Sequence, residues 1–355
     1  MKITALLGIA VACALTFAPS GTASRAEATT IAWQLPIDAQ YRVVSTIRQR
    51  ATTTVAEQVS EETLEQSTTR VVTVDSVDEY GTMSLKVTVD AFTLKKTSRA
   101  MTLTLNAVRK PDGKLDVRSS VEMPVELIDT KEFQAFFEAL GANMLGIEFS
   151  IDLSPTGRVL RSSMKGDPFD HLPAISEATH LASRALEMMV SKDDLADAVA
   201  AELFVQLPET AVEVEDRWPV AIDWTVSGIA MSGRGTTTFE KLEDPTGKPI
   251  AVLSETIEYQ IDTTEYQAKL AELMTLLFVQ AGADLEVSIE LRTDKMDAKS
   301  SARFDVEQGF CRSVQWEDMR LPMSGTMSVG PKSVELEMNV LMEGGRSTWM
   351  RVVDR

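Results

Sequence analysis

Apolar and polar side chains alternate along several stretches of this chain. In "MTLTL" (101–105), "LEVSIEL" (285–291) and "VELEMNV" (334–340) every second residue is apolar, as a strand requires when one face of its sheet is buried. In "TKEFQAFFEALGANML" the period changes: Phe133, Phe136, Phe137, Leu140 and Met144 fall at i, i+3, i+4, i+7 and i+11. That spacing predicts one apolar stripe on a helix of about four turns. Asp129 and Thr130 stand where its N-cap belongs, and Glu132 adds a carboxylate near the positive helix end. Residues 174–190 and 193–205 read as two further helices, with a break at Ser191 to Asp194 and Pro208 closing the segment. Strands dominate again from Ala302 to Val353, with Gly309, Gly325, Gly330 and Gly344-Gly345 at turns.

One phrase is written twice. "IDTKEFQAFFEAL" begins at Ile128 and "IDTTEYQAKLAEL" at Ile261, and seven of the thirteen positions are identical. The echo extends both ways. "PDGKLDV" (111–117) answers "PTGKPIA" (245–251), "IEFSIDL" (147–153) answers "LEVSIEL", and "MTLTL" lies opposite "GTTTF" (235–239). Each unit reads strand, glycine-containing turn, strand, helix, strand. A period this long marks a duplicated domain half rather than a short solenoid repeat. The shared helix start, kept as Asp262, Thr263 and Glu265 in the second copy, serves capping and packing.

The N-terminus changes where the protein is expected to be. Lys2 precedes an apolar run from Ile3 to Phe17, and Ala26-Glu27-Ala28 forms an A-x-A cleavage site, the pattern of a secretory leader. Cys13 offers a lipid-anchored alternative, although Ala10 replaces the usual leucine three residues before it. The whole chain carries a formal charge of −18, which repels nucleic-acid phosphates and anionic membrane surfaces. Past the leader only Cys311 remains, so no internal disulfide is available and stability must come from a packed core. No second apolar run approaches the length of a membrane-spanning helix.

Candidate chemistry is sparse. His171 in "DPFDHLP" and His180 lie nine residues apart, which is not the helical spacing of metal-binding histidines. Asp167, Asp170 and His171 could approach a cation, but they also read as a polar loop and helix cap. Cys311 falls on a strand without a nearby histidine, "GTMSVG" (325–330) has one residue too many for a nucleophile elbow, and "GRGTTT" (233–238) reads as a tight turn. Asp75, Asp78 and Glu79 lack calcium-loop spacing. Seventeen methionines, among them Met319, Met323 and Met327 at intervals of four, suit an irregular core or an adaptable surface. A hydrolase with carboxylates brought together only in space stays open as a third reading.

Pro208, Val212, Asp216 and Trp218 in "LPETAVEVEDRWPV", then Phe304, Asp305 and Gly309 in "ARFDVEQGF", carry a resemblance. With Gly157 in "IDLSPTGRVL", they are similar to an uncharacterised family of exported bacterial β-rich proteins, a domain of unknown function. That resemblance implies no catalytic residues. A looser, architectural likeness is to periplasmic lipoprotein-carrier proteins.

These readings predict an α+β protein. A curved antiparallel β-sheet is built from two duplicated halves, each with a covering amphipathic helix, plus a helical connector. The expected boundaries are 1–28 for the signal peptide, 29–166 for the first half, 167–208 for the connector and 209–355 for the second half. The expected role is that of an exported, periplasmic or cell-envelope protein without enzymatic activity, cofactor or metal. A Met- and Leu-lined groove of Phe136, Phe137, Leu140, Met144, Leu273, Met274 and Leu277 would bind an apolar ligand, lipid or acyl chain. The alternative is a structural or protein-interaction module of the envelope that binds an envelope protein.

Overall fold

The computed structural model describes residues 28–353 apart from 56, 100, 123–129, 174–175, 227, 245–246, 281, 284, 294 and 343–345. Three long strands come first: β1 (Gln40–Val55), β2 (Gln58–Val77) and β3 (Met83–Ser98). They are followed by β4 (Thr102–Arg109), β5 (Leu115–Glu122), α1 (Thr130–Leu145), β6 (Glu148–Leu153) and β7 (Val159–Lys165). Two helices, α2 (Glu177–Met189) and α3 (Lys192–Leu203), precede β8 (Arg217–Val226), β9 (Ile229–Glu243), β10 (Ile250–Asp262) and α4 (Thr264–Gln280). Strands β11 (Val287–Thr293), β12 (Met296–Asp305), β13 (Phe310–Trp316), β14 (Met319–Val329), β15 (Lys332–Met342) and β16 (Arg346–Val352) complete the order.

All sixteen strands belong to one sheet, and each pairing is antiparallel. The sheet forks on its long strands. Tyr41 to Ile47 of β1 pair with β16, whereas Arg50 to Val55 pair with β15. Likewise Met83 to Thr88 of β3 pair with β6, and Ala91 to Thr97 pair with β4. One branch therefore runs β7-β6-β3-β2-β1-β16-β13-β12-β10-β9-β8, and the other β5-β4-β3-β2-β1-β15-β14-β11. Helix α3 packs on both β7 and β8. These are the two end strands of the longer branch, so the helix covers the seam the sheet leaves open. Helix α1 lies on β4 and β5, α4 lies on β11, and α2 touches both of these helices.

Strand parity sorts the faces. On β10, Leu253, Ile257 and Tyr259 are buried while Thr256, Glu258 and Gln260 are exposed; on β12, Ala298, Ala302 and Phe304 are buried while Asp297, Lys299 and Arg303 are exposed. Val43, Val72, Val74, Leu85, Val87 and Ile151 join them in one core. Segment 29–36 is threaded through that core by backbone bonds: Thr29 N–H to Val212 O (2.7 Å), Trp33 N–H to Pro155 O (2.8 Å) and Gln34 N–H to Gly309 O (2.9 Å). Trp33 stands edge-on to both Phe204 and Phe304, at 5.3 Å between ring centroids, and its indole donates to Val205 O at 3.0 Å.

The expected α+β class is corrected by this topology: the described residues are mostly β and form a single forked antiparallel sheet carrying four helices. Two features of the sequence hid this. The outward faces of β1 to β3 are so polar that their periodicity is diluted. Several glycines that read as turns lie inside strands. "GRGTTT" runs straight through β9, where Gly233 leaves room for the Tyr259 ring, whose Cε1 would lie 2.6 Å from an added Cβ. Gly325 sits within β14 opposite Leu291.

The repeated stretches do share an element order, β4-β5-α1-β6 and β9-β10-α4-β11, but they are not placed alike. β6 joins β3 beside β4, whereas β11 joins β14, away from β10. Their helices dock differently too. Gly141 lets α1 settle on β4 and β5, since an added Cβ would lie 3.0 Å from Leu105 Cδ1 and 3.1 Å from Val117 Cγ1. The second copy has Met274 at that position, and among its described side chains its helix buries none as fully as α1 buries Phe136.

Candidate functional site

The seven expected groove residues lie on two helices with different surroundings. Phe136 is sealed at 0% exposure, with Phe137 edge-on to it at 5.4 Å. Leu140 and Met144 are half-buried, and Met144 packs on the main core. Leu273 and Met274 are half-buried on α4, where Met274 packs on a separate cluster of Val287, Ile289, Leu291 and Leu336. Leu277 is 38% exposed. The two sets sit on different flanks, with α2 between α1 and α4.

Polar groups gather inside the longer branch, at the level where the sheet forks. Thr237 on β9, Glu255 on β10 and Ser300 on β12 are buried, and both hydroxyls donate to the Glu255 carboxyl at 3.3 Å. Burial pushes the Glu255 pKa up, and the two hydroxyl donors pull against that shift. Further round the same inner face, Ser45 on β1 meets Thr348 on β16 at 3.2 Å between hydroxyl oxygens. Arg70 on β2 lies within 3.5 Å of Ser45 through Nη1 and reaches Glu202 on α3. The Arg70 Nη2 donates to Glu202 Oε2 at 3.1 Å, and Nη1 lies 3.1 Å from Oε1. Burial lowers the Arg70 pKa to about 10, so the guanidinium stays charged at neutral pH. A charged group this deep needs a partner, and Glu202 is that partner. Sequence reasoning missed both interior charges, although strand parity carries the signal: Arg70 shares a face with Val72 and Val74, and Glu255 with Leu253 and Ile257.

An open cleft of about 520 Å³ lies where α3 meets the ends of β8, β9 and β10. Trp224, Met231 and Ile261 give it an apolar floor, and Asp197, Asp223 and Asp262 give it an acidic rim. Each acid is held in place. Asp197 accepts from the Ser162 hydroxyl, which ties α3 to β7. Asp223 pairs with Arg234 at 2.8 Å and accepts from Ser232 at 2.5 Å. Arg234 first, then Ser232, holds the Asp223 pKa below the usual carboxylate range. Asp262 accepts the Thr264 N–H at 2.9 Å, and Thr264 lowers its pKa too. Asp262 was legible as a helix-start residue; that it also faces a cleft with residues from α3 and β8 was not. A second hollow of about 450 Å³ is lined by Thr29, Val214, Phe239, Leu242 and Pro249, among others, and carries no charged side chain.

The other candidates have structural duties. Asp167 pairs with Lys192 at 2.8 Å and accepts the Phe169 N–H at 2.9 Å; Lys192 first, then that N–H, lowers its pKa. His171 is almost fully exposed, 3.5 Å from Asp170, and His180 is exposed on α2. Cys311 is buried on β13 and its thiol is pushed up to about 12 by that burial, which suppresses the reactive thiolate. Met319 and Met323 are buried and Met327 half-buried on one face of β14, so their spacing of four is that of a strand. Asp78 caps its own turn, accepting the Tyr80 and Thr82 N–H groups at 2.9 and 2.8 Å. Asp129 lies outside the described residues. Among the described residues no group of three or more His, Cys, Asp or Glu side chains is arranged to hold a metal ion.

No protein-family model matches the chain, and no curated relative is found. Among solved structures it aligns with Pseudomonas aeruginosa OpdQ at 8% identity, covering 89% of this chain and 99% of that one, with a TM-score of 0.19. An outer-membrane channel from Pseudomonas putida F1 aligns at 8% identity over 90% of this chain and 97% of that one, TM-score 0.17. Acinetobacter baumannii OccAB4 aligns at 8% identity over 90% and 99%, TM-score 0.18. Scores this low carry no argument for a shared fold.

Three expectations are corrected here. The residues expected to line one apolar groove lie on two helices whose apolar faces pack on separate clusters, so the lipid- or acyl-chain-binding role is withdrawn. With it goes the apolar small molecule as partner, and the alternative of a ligand-free envelope module is not carried forward either. The expectation of no transmembrane segment is corrected in scope. No helix among the described residues is long and apolar enough to cross a membrane, and that says nothing of a β-barrel.

Proposed function

We propose that this is an exported protein of the bacterial cell envelope that works by binding, not by catalysis, and that its binding site is the acidic cleft between α3 and β8–β10. The leader-like N-terminus supports export. The observation that carries the binding reading is the composition of the cleft. Its floor of Trp224, Met231 and Ile261 suits an apolar body, and its rim of Asp197, Asp223 and Asp262 suits a positive charge. An indole face also attracts cations, and a chain of formal charge −18 steers them inward. The ligand class is therefore a small organic cation with an apolar portion.

Phenethylammonium and its uncharged analogue phenylethanol test this reading by tryptophan fluorescence and calorimetry. The cation is expected to bind saturably with Kd near or below about 1 mM, and the alcohol is expected to bind far more weakly. Trp224→Ala, or Asp197→Asn together with Asp262→Asn, should abolish the signal. A cation that binds no better than the alcohol would remove the proposal. Fractionation of the host tests the compartment: recovery of the full-length chain from the cytoplasm, leader uncleaved, would contradict export.

A further inference from the structure

The two ends of α3 are held very differently. At its C-terminal end the chain is pinned from four sides. Trp33 Nε1 donates to Val205 O at 3.0 Å, Trp218 Nε1 donates to Gln206 O at 3.2 Å, and Leu207 N–H donates to Thr156 O at 2.8 Å. The Gln206 side chain also bonds both backbone groups of Ala221, at 3.1 and 2.5 Å. Leu203, Phe204 and Leu207 are buried there, and the Arg70–Glu202 pair anchors the last turn.

The N-terminal half is held more weakly: Leu195 is half-buried against the main core and Asp197 accepts from the Ser162 hydroxyl. Ala196 is its one fully buried side chain, and an alanine removes little apolar surface from water. The Lys192–Asp167 pair is half-exposed, and such pairs contribute little. Asp194 Oδ2 is buried without a hydrogen-bond partner, so docking this half dehydrates a carboxylate oxygen with nothing in return. Helix α2, just upstream, buries only Thr179 among its described side chains. Most of what favours docking therefore lies at the C-terminal end of the helix.

We propose that α3 is a hinged seam cover. Its last turn stays pinned through Glu202 to Leu207, and its first two turns, Lys192 to Ala198, bend away from the seam between β7 and β8. Lifting hydrates Asp194 and carries Asp197 away from β8, which widens the acidic cleft along one wall. Access to the cleft is then set by the docking equilibrium of this half-helix. The hinge stands on the packing of α3 alone and holds whatever the cleft binds.

Cys311, the one cysteine past the leader, supplies an internal reference for the test, since it is buried in a strand distant in sequence from α3. In Ala196→Cys and Ala200→Cys variants of the leaderless protein, thiol labelling is followed under native conditions. The new thiol at 196 is expected to react at least about tenfold faster than Cys311, through local opening. The thiol at 200, one turn nearer the hinge, should react about as slowly as Cys311. A position 196 no faster than Cys311, or a position 200 as fast as 196, would overturn the hinge. Taking the ratio to Cys311 removes any global destabilisation by the variants. Hydrogen exchange of the unmodified protein gives a second reading, with faster exchange expected at Ala196 to Ala198 than at Val199 to Leu203; uniform protection across both would count against the proposal.

Discussion

Arg70 on β2 and Glu202 on α3 form an ion pair at 3.1 Å, 132 residues apart in sequence, with side chains only 7% and 8% exposed. Removing one partner strands the other charge in the core, which costs about 3–5 kcal/mol, whereas replacing both by apolar side chains of similar volume is often neutral or better. Arg70→Met and Glu202→Leu are therefore each expected to destabilise the protein strongly in urea denaturation. The double variant should recover most of the loss. A double variant as unstable as the sum of the singles would show that the two charges are not coupled.

Glu255 responds to pH in a direction its burial dictates. Its folded-state pKa lies above the unfolded value, so the folded protein holds this proton to higher pH. The contribution to stability is fully present below the unfolded carboxyl pKa, about 4.3, and is lost as pH rises through the folded one. Glu255→Gln keeps the shape and the contacts with Thr237 and Ser300 without the titration. It should leave the melting temperature unchanged near pH 4 and raise it at pH 8. A variant less stable than the parent at pH 8 would mean the charged form is favoured inside.

Much of the local structure was legible from periodicity. The apolar stripe on α1, the alternation in β4, β11 and β15, and the break at Ser191, which accepts the Asp194 N–H at 3.0 Å as an N-cap, all follow from short-range chemistry. The resemblance residues were legible as a set, and their roles are structural. Phe304 stands edge-on to Trp33, Trp218 donates to Gln206 O, Asp305 binds Arg312 at 3.0 Å through Nε, and Gly157 and Gly309 take positive φ against segment 29–36. What was not legible is pairing. β1 meets β16 across some three hundred residues, and nothing local in either strand encodes the partner. The repeat shows the same limit. Gln134 and Gln267 occupy equivalent positions, yet Gln134 donates to Ser119 O of the preceding strand at 2.7 Å, and Gln267 to Leu291 O of the following one at 2.9 Å. Similar sequence gave two helices in unequal surroundings.

Gly141 tests that asymmetry. Exchanging it for methionine, the residue of the second copy, would drive a side chain into Leu105, Ala107 and Val117, all within 3.3 Å of an added Cβ. Overpacking of this kind costs about 1–3 kcal/mol and outweighs the helix propensity that leaving glycine recovers. Gly141→Met should lower the denaturation midpoint and loosen α1 from β4 and β5 in hydrogen exchange. An unchanged midpoint would show that α1 docks no closer than α4.

Two glycines of nearly equal φ separate backbone strain from steric exclusion. Gly113 (φ +81°) has nothing within 4 Å of an added Cβ, while at Gly157 (φ +75°) that atom would lie 2.1 Å from Val205 O and 2.7 Å from Trp33 Nε1. Gly113→Ala bears only the left-handed backbone penalty, about 1–2 kcal/mol. Gly157→Ala adds displacement of Val205 O, the acceptor of the Trp33 indole, at the point where α3 is pinned. It is expected to destabilise well beyond the Gly113 variant in chemical denaturation, and to shift Trp33 fluorescence, which Gly113→Ala should leave alone. Equal losses at the two positions would mean that Val205 yields freely, and the anchored end of α3 would then be no firmer than its free one.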